Sequence, residues 1–405
     1  MRSVFFSAKY SLLRKPSQFK IGLRGLSLIA SMGLLAGCSS FSEKNTSSPN
    51  TRLPEANSRL FTTASQHVPT EAELMTLSSV QLAELKRFVQ QPERIDLAPR
   101  LQVAEFIEAN IVSFNYEGKN YPATVALEKG SGNCMTLAML TYAVAKALNV
   151  QIKFQVIHSA PMLLDIKNNL AISSDHVRSF LFDKSSNGLY LSGASTTVID
   201  YFPERLDRTG AVVSEQRFLA MYYRNLAADA LIKNDFNLSY ALLQKGLALD
   251  SSYSPLINMM AIVHRRLGDY ATAAQFYQYG SAIEQSSLVL LSNYRQLLLA
   301  QGNLAAAKDV ENTLLTMDDP TPYEWYIMGQ DALTQNNYVN AKVYLTRFLK
   351  GTPYFHQGYY DLARAQFGLG EVKQAQDSLK KAIALAELPE NERKYQAKLH
   401  WLNDH

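Results

Sequence analysis

LGDYATA, residues 267–273, decides how the C-terminal half of this chain is read. It joins a turn tetrad, Leu267-Gly268-Asp269-Tyr270, to a small residue, Ala273, three positions further on. The tetrad returns as Lys233-Asn234-Asp235-Phe236, Gln301-Gly302-Asn303-Leu304, Gln335-Asn336-Asn337-Tyr338 and Leu369-Gly370-Glu371-Val372, always at the same spacing. The small residue keeps the same phase as Ser239, Ala273, Ala307, Ala341 and Ala375. A second small position reads Ala227, Ala261, Arg295, Gly329 and Ala363, where Arg295 departs and marks the third unit as the weakest. Small residues at fixed phase let two helices touch closely. A unit of about 34 residues buries its apolar face only by stacking on its neighbours.

This period resembles the tetratricopeptide repeat. Five units cover roughly residues 221–388, and ENERKYQAKLHWLN after Pro389 reads as a capping helix, so residues 221–405 are expected to be an all-α solenoid. The resemblance implies a peptide or protein partner. Tyr277, Tyr279, Tyr344, Tyr359 and Tyr360 read as packing between helices, with a peptide-stacking role as the alternative.

The other end of the chain carries an address. Residues 1–37 hold Arg2, Lys9, Arg14, Lys15, Lys20 and Arg24, no acidic residue, and the apolar run GLSLIASMGLLAG. That run suits a signal peptide and is too short to span a bilayer comfortably. Its end, Leu35-Ala36-Gly37-Cys38, resembles the lipobox of bacterial lipoproteins. By that resemblance Cys38 is acylated and begins the mature chain, and Ser39, in place of Asp, favours the outer membrane, with the protein facing the periplasm. Residues 38–68, rich in Ser, Thr, Asn and Pro, read as a flexible tether.

Charge then changes meaning. The chain has 40 basic and 36 acidic residues, a net of +4; without the six basic residues of the signal, 34 face 36, a net of −2. The basicity is a targeting feature, and no basic stripe supports nucleic-acid binding. Of two cysteines, Cys38 is assigned to lipid, which leaves Cys134 without a disulfide partner in an oxidising compartment.

Between tether and repeats, residues 69–205 read as an α+β unit. Helical spacing runs from about Glu71 to Ile111 (Leu82, Leu85, Phe88, Val89), and a second helix runs from Cys134 to about Val150. QIKFQVI, HVRSFLF, GLYLSG and TTVIDYF then read as short strands. Cys134 opens its helix behind Gly130-Ser131-Gly132-Asn133, where the helix dipole favours thiolate. His176 begins a strand; His158 sits in the turn HSAP and reads as unremarkable. Asp200 lies in an apolar strand-like segment, where a carboxylate calls for a partner. The plain alternatives are a buried packing cysteine, a structural histidine and a turn aspartate.

GNCMTLAMLTYAVAKALNV, DHVRSFLFD and VIDYF together resemble the transglutaminase-like (papain-related) superfamily, chiefly bacterial members fused to tetratricopeptide repeats. The resemblance implies Cys134 as nucleophile, His176 as base and Asp200 as the residue that orients it. Arg178 stands where many members carry an aromatic residue. The expected fold class is therefore an α+β transglutaminase-like domain followed by an all-α tetratricopeptide-repeat solenoid. Two functions compete: a thiol-dependent amide hydrolase or acyl transferase that recruits substrate through its repeats, and a catalytically silent binding scaffold. No metal-ligand spacing, phosphate loop or paired catalytic carboxylates stands out, so neither metal nor cofactor is expected.

Overall fold

Helices α1 (Glu71–Met75), α2 (Ser79–Val89) and α3 (Pro99–Ile111) occupy the stretch that reads as helical. Thr70 and Ser78 start the first two by capping boxes closed by Glu73 and Gln81, and Pro99 sits in the first turn of the third. The computed structural model describes residues 52–62, 67–158, 175–183, 196–201, 208–283, 286–317, 323–386 and 388–404. The signal-like segment 1–37, Cys38 and the strand-like GLYLSG lie outside the described residues.

Next come β1 (Asn115–Tyr116), α4 (Ala123–Lys129), β2 (Ser131–Gly132) and α5 (Cys134–Ala147), with β1 and β2 paired in parallel. Every residue of α5 from Met135 to Ala145 is buried. A helix apolar all round must be central, and α5 packs on a four-stranded antiparallel sheet of β3 (Gln151–His158), β4 (Asp175–Phe182), β5 (Thr196–Ile199) and β6 (Arg208–Val213), in the order β5-β4-β3-β6. In β4, Val177, Ser179 and Leu181 are buried and alternate with half-exposed Arg178 and Phe180, the period-two signature of a sheet with one covered face.

The fourth strand, β6, lies beyond residue 205, past the expected limit of the unit. Its sequence, RTGAVV, opens like a turn and leaves Val212 58% exposed on the sheet edge, so it carries little apolar signal. Gly210 has a packing reason: a Cβ there would stand 2.7 Å from His158 Nε2.

The repeats follow as helix pairs: α6 (Glu215–Ile232) with α7 (Phe236–Leu249), α8 (Ser254–Arg266) with α9 (Tyr270–Ala282), α10 (Leu288–Ala300) with α11 (Leu304–Thr316), α12 (Tyr323–Thr334) with α13 (Tyr338–Gly351), and α14 (His356–Gly368) with α15 (Val372–Leu385). Helix α16 (Pro389–Asp404) follows and packs on α15. The turn tetrad has a backbone cause. Its second residue is left-handed in every unit: Asn234 (φ 60°), Gly268 (83°), Gly302 (73°), Asn336 (55°) and Gly370 (76°). Glycine and asparagine tolerate that conformation best. Its third residue caps the next helix wherever it is Asp or Asn, as at Asp235, Asp269, Asn303 and Asn337.

The in-phase small residues Ser239, Ala273, Ala307, Ala341 and Ala375 are all buried. Arg295, the departure, is answered from the paired helix by Glu311, whose Oε1 lies 3.5 Å from Arg295 Nη2. Glu311 holds the position that is Leu243, Tyr277, Leu345 and Leu379 in the other units. It is 5% exposed and also receives Lys308 at 3.1 Å, Asn340 at 3.0 Å and the Tyr344 hydroxyl. The third unit has exchanged a small–large apolar pair for a buried ion pair.

The boundary between unit and repeats is not a linker. Helix α6 begins at Glu215, ahead of the expected start at 221, and its first turns belong to the α+β core. Phe218 stacks on Phe154 of β3 with ring centroids 3.8 Å apart, and the Tyr142 hydroxyl of α5 bonds Glu215. One continuous apolar cluster runs from Leu74 through α5 to the repeats. The tether also departs from its reading over residues 52–62. Asn57 Nδ2 donates to Asp269 Oδ2 at 3.0 Å, the Thr62 amide donates to Asn237 Oδ1 at 2.9 Å, and Phe61 stacks on Tyr240 with centroids 3.9 Å apart. A polar composition conceals three anchoring side chains, Leu53, Ala56 and Phe61, that pack on the core. Residues 52–62 form a strap across the first two repeats.

Candidate functional site

GSGNC is built to present a cysteine. Helix α4 ends at Gly130, left-handed at φ 57°. Gly132 has φ 149°, and a Cβ on it would meet Thr136 Cγ2 at 2.5 Å, so the first turn of α5 can close over it only if it is glycine. Asn133 caps α5, its Oδ1 accepting from the Thr136 amide at 2.9 Å. The Asn133 Nδ2 donates to Asn120 Oδ1 at 2.9 Å, and Asn120 Nδ2 donates to Asp229 Oδ2 of α6 at 2.9 Å. The first repeat helix therefore braces the turn that holds the thiol.

The thiol itself is half-buried and free of any disulfide. Burial pushes it up to about 11, against the opposing pull of backbone N–H groups at the start of α5, a hydrogen bond with Tyr116 and the cation of Arg224 in α6. The sequence alone points the other way, toward thiolate, because the dipole is legible in a helix start and the burial is not. Tyr116, whose ring is half exposed, is pushed up in turn, to about 12, by desolvation of its hydroxyl and by the adjacent cysteine.

Of the other two residues of the expected set, one falls on a strand and the other just past the end of its neighbour. His176 occupies the register position opposite Ile157, in β4. Asp200 follows β5, which pairs with β4. Its Oδ2 lies 3.9 Å from Arg178 Nη1, the side chain that stands in the aromatic position. Arg178 is held from several sides: its Nε and Nη2 reach Gln155 Oε1 at 3.0 and 2.8 Å, and Nη2 also reaches Thr209 Oγ1 at 3.2 Å. The guanidinium thus braces β3, β4 and β6 and brings Asp200 into the same network. Beside it, the buried Tyr201 hydroxyl lies 3.0 Å from Ser179 Oγ and donates to Thr141 Oγ1 at 2.6 Å, fastening β4 to α5. Tyr116, Asn120, Tyr201 and Arg224 escape a sequence reading because each acts on a partner distant in the chain, with no spacing rule. Among the described residues no group of three His, Cys, Asp or Glu side chains is placed to hold a metal, and no helix is long and apolar enough to cross a membrane.

The second site is the row of first helices. Successive members, α6, α8, α10, α12 and α14, touch along the array. They are stitched by polar contacts one repeat plus one residue apart: Asn293 to Asn258 at 3.0 Å, Gln296 to Asp331 at 3.2 Å, and Tyr326 to Asp361 at 2.9 Å, each at a separation of 35 residues. Gln330 adds a second donor to Asp361 at 2.7 Å. Asp361 is 2% exposed, and burial raises its carboxyl above the ordinary range despite those donors and Arg364. Tyr277 and Tyr344 are buried packing residues, whereas Tyr279, Tyr359 and Tyr360 are half-exposed.

The tetratricopeptide-repeat family model matches residues 356–380, which are α14 and the first part of α15. The chain is similar in fold to YrrB, a TPR protein with an unusual peptide-binding site, at 15% identity over 44% of this chain and 92% of that one, with a TM-score of 0.31. It is also similar to PilF of Pseudomonas aeruginosa (16% identity, 47% and 87% coverage, TM-score 0.36). PilW, a widely conserved type IV pilus biogenesis factor, gives 19% identity, 46% and 93% coverage and a TM-score of 0.32. No match is found among curated proteins. The C-terminal region is a tetratricopeptide-repeat array; the assignment rests on the family match and on the chain's own repeating phase.

Proposed function

We propose that this chain is a lipid-anchored binding scaffold of the outer membrane, facing the periplasm, whose repeats hold a peptide or protein partner and whose α+β unit is a transglutaminase-like platform fused to the first repeat. The observation that carries the reading is the row of first helices, stitched from α8 to α14. It is a rigid, regular surface, the kind that repeat arrays use for partners. The anchor is supported by Leu35-Ala36-Gly37-Cys38 after an apolar run. A photo-crosslinking residue at position 296 or 330, on the row, is expected to capture a partner in cells. The same probe at position 313, on the second helix α11, is expected to capture none. Equal capture from both positions overturns the reading. Cys38→Ala is expected to leave a precursor or soluble form; unchanged membrane fractionation of that variant removes the anchor.

A second reading, a thiol-dependent amide hydrolase or acyl transferase, is favoured by one arrangement: Cys134 opens a helix that packs on β4, which carries His176, with Asp200 following the adjacent strand. In that reading Cys134 attacks an amide carbonyl while His176 takes the thiol proton; the C–N bond then breaks, His176 returns that proton to the departing amine, an acyl thioester is left on Cys134, and Asp200 orients the imidazole. Its test is covalent trapping of an acyl group from thioester or amide substrates on Cys134, lost in Cys134→Ser and His176→Ala. A protein that forms no adduct under any condition remains a scaffold.

A further inference from the structure

We propose that the interval between α14 and α16 is a docking site for a peptide bearing one bulky apolar side chain flanked by carboxylates. The inference rests on the scaffold reading above and names the partner chemistry of the same row. Three residues of α14, Tyr360, Arg364 and Phe367, have their counterparts one repeat later on α16 in Lys394, Lys398 and Trp401. Helix α16 therefore continues the row in phase, and it packs more loosely on α14 than the earlier first helices pack on one another.

The intervals from α8 to α14 are closed by a carboxylate or amide supplied by the neighbouring helix. Tyr326 and Gln330, which precede Tyr360 and Arg364 by one repeat, both donate to Asp361 of the next helix. One repeat earlier, Gln296 donates to Asp331. Carried forward one step, the acceptor positions of Asp361 and Asp331 fall on Tyr395 and on Ala365 then Leu399, none of them acidic. At the same time one of the two donors has become a cation. Arg364 replaces Gln330, and its carboxylate contact is Asp361 on its own helix at 3.0 Å. Lys398 lies across from it on the cavity wall. At one end the last interval is closed by Tyr395, which stacks on Tyr360 with centroids 4.9 Å apart and is hydrogen-bonded to His356 at 2.8 Å; at the other, the phase-equivalent positions of α16 offer Arg364 no carboxylate.

What stands there instead is a cavity of about 150 Å³. Ala363 and Leu379 line its apolar part, and Phe367 and Trp401 form its mouth, edge to face with ring centroids 5.4 Å apart. These two rings are 44% and 43% exposed, although they are among the largest apolar side chains of the array. An apolar cavity of roughly this volume holds a benzene-sized group. Arg364 and Lys398 at the rim, with Lys394 over the Tyr360 ring at 4.7 Å, set the sign of whatever flanks that group. An apolar anchor between carboxylates fills the cavity and supplies the missing acceptor.

The full chain reports on this site through its own fluorescence. It has two tryptophans, and Trp325 is 4% exposed, so ligand-dependent changes arise at Trp401. The probes are capped peptides Asp-Glu-Phe-Glu-Asp, Asp-Glu-Ala-Glu-Asp and Lys-Arg-Phe-Arg-Lys. The acidic phenylalanine peptide is expected to shift the emission saturably, and the other two to bind at least tenfold more weakly. Lys398→Glu is expected to lower affinity for the acidic peptide at least tenfold. Arg364→Glu with Lys398→Glu is expected to gain binding of the basic peptide, a gain that misfolding cannot produce. Equal binding of acidic and basic peptides, or affinity unchanged by Lys398→Glu, overturns the proposal. A sedimentation shift with protein concentration that Lys398→Glu abolishes does so too, because the occupant is then a second copy. If position 296 or 330 still captures a partner while the acidic peptide fails, this inference falls alone. If neither captures nor binds, the scaffold reading falls with it.

Discussion

The repeat array and the α+β unit solve the problem of positioning side chains in opposite ways. In the array, a residue's role is set by its phase. Asn234, Gly268, Gly302, Asn336 and Gly370 all take the same left-handed turn, and Ser239, Ala273, Ala307, Ala341 and Ala375 all fill the same helix contact. In the α+β unit, each contact occurs once: Tyr201 joins Ser179 to Thr141, and Asn120 joins Asn133 to Asp229. Phase makes the array predictable and tolerant of a local exchange. The thiol site depends on single contacts between distant segments.

The largest expected effect tests the phase itself. Ala341 is fully buried between α13 and its neighbours. Ala341→Arg forces a long cation into that contact and should cost about 3–5 kcal/mol through overpacking and a buried unpaired charge. Urea unfolding followed by circular dichroism measures it; a variant as stable as the parent breaks the claim that phase fixes role.

The third repeat offers the next test. Arg295→Ala leaves buried Glu311 with Lys308 but without its guanidinium, and should cost about 3 kcal/mol. Adding Glu311→Leu restores the apolar pattern of Leu243, Leu345 and Leu379, and the double variant should recover most of the loss, because a well-packed apolar pair often matches a buried ion pair. A double variant worse than Arg295→Ala shows that the third repeat has a packing of its own.

These two cases also show how far the sequence reached. Helix pairs and turns of the array were legible because one period states each of them several times over. The Arg295–Glu311 exchange was half legible: the departure was visible, but its answer was not, since the partner breaks the pattern on another helix. In the α+β unit, β3 and β4 and the helix opened by Cys134 followed from alternation and from Gly-Ser-Gly-Asn. The edge strand β6, with Val212 exposed and Gly210 inside it, gave no such signal. The strap at residues 52–62 was masked by its composition: Phe61 finds Tyr240 and His264 only because the fold brings them there. The sign of the thiol's shift failed for the same reason, since burial is a property of neighbours and not of spacing.

A smaller effect joins strap and array. His264 is fully buried under Phe61, Tyr240 and Phe276, with Nδ1 3.4 Å from Asp269 Oδ2. Burial lowers it below its ordinary 6.5, although Asp269 pulls the other way. With the folded value below the unfolded one, its contribution to stability is fully present above pH 6.5. It is lost as pH falls from there toward the folded value. The Asp269 carboxyl lies below its ordinary 3.8, so its own contribution disappears in a separate, more acidic window. The urea midpoint should therefore fall between pH 7 and pH 5 in the parent, with amide exchange rising first over residues 52–62. His264→Phe should flatten that dependence. A midpoint equally pH-dependent in both proteins places the titrating group elsewhere.

The smallest expected effect on stability, and the sharpest on the comparison, concerns Cys134. In the resting protein the thiol is pushed up to about 11, above the roughly 8.5 of a free cysteine. A gap of that size leaves on the order of a hundredfold less thiolate at neutral pH. Iodoacetamide should then label Cys134 slowly at pH 7, with a rate that climbs through pH 9 without a plateau and jumps on denaturation. Arg224→Gln removes a cation that favours thiolate and should slow labelling further. That change reaches the thiol from α6, so it measures how strongly the array is wired to the unique site. His176→Ala separates the two functional readings. If the resting thiol is a packing residue, the variant labels at the parental rate across the whole range. If the thiol is a nucleophile paired with imidazole, the parent labels at pH 6–7 and the variant loses that phase. The second outcome reverses the direction argued here from burial and makes the unique, long-range contacts of the α+β unit those of a working site.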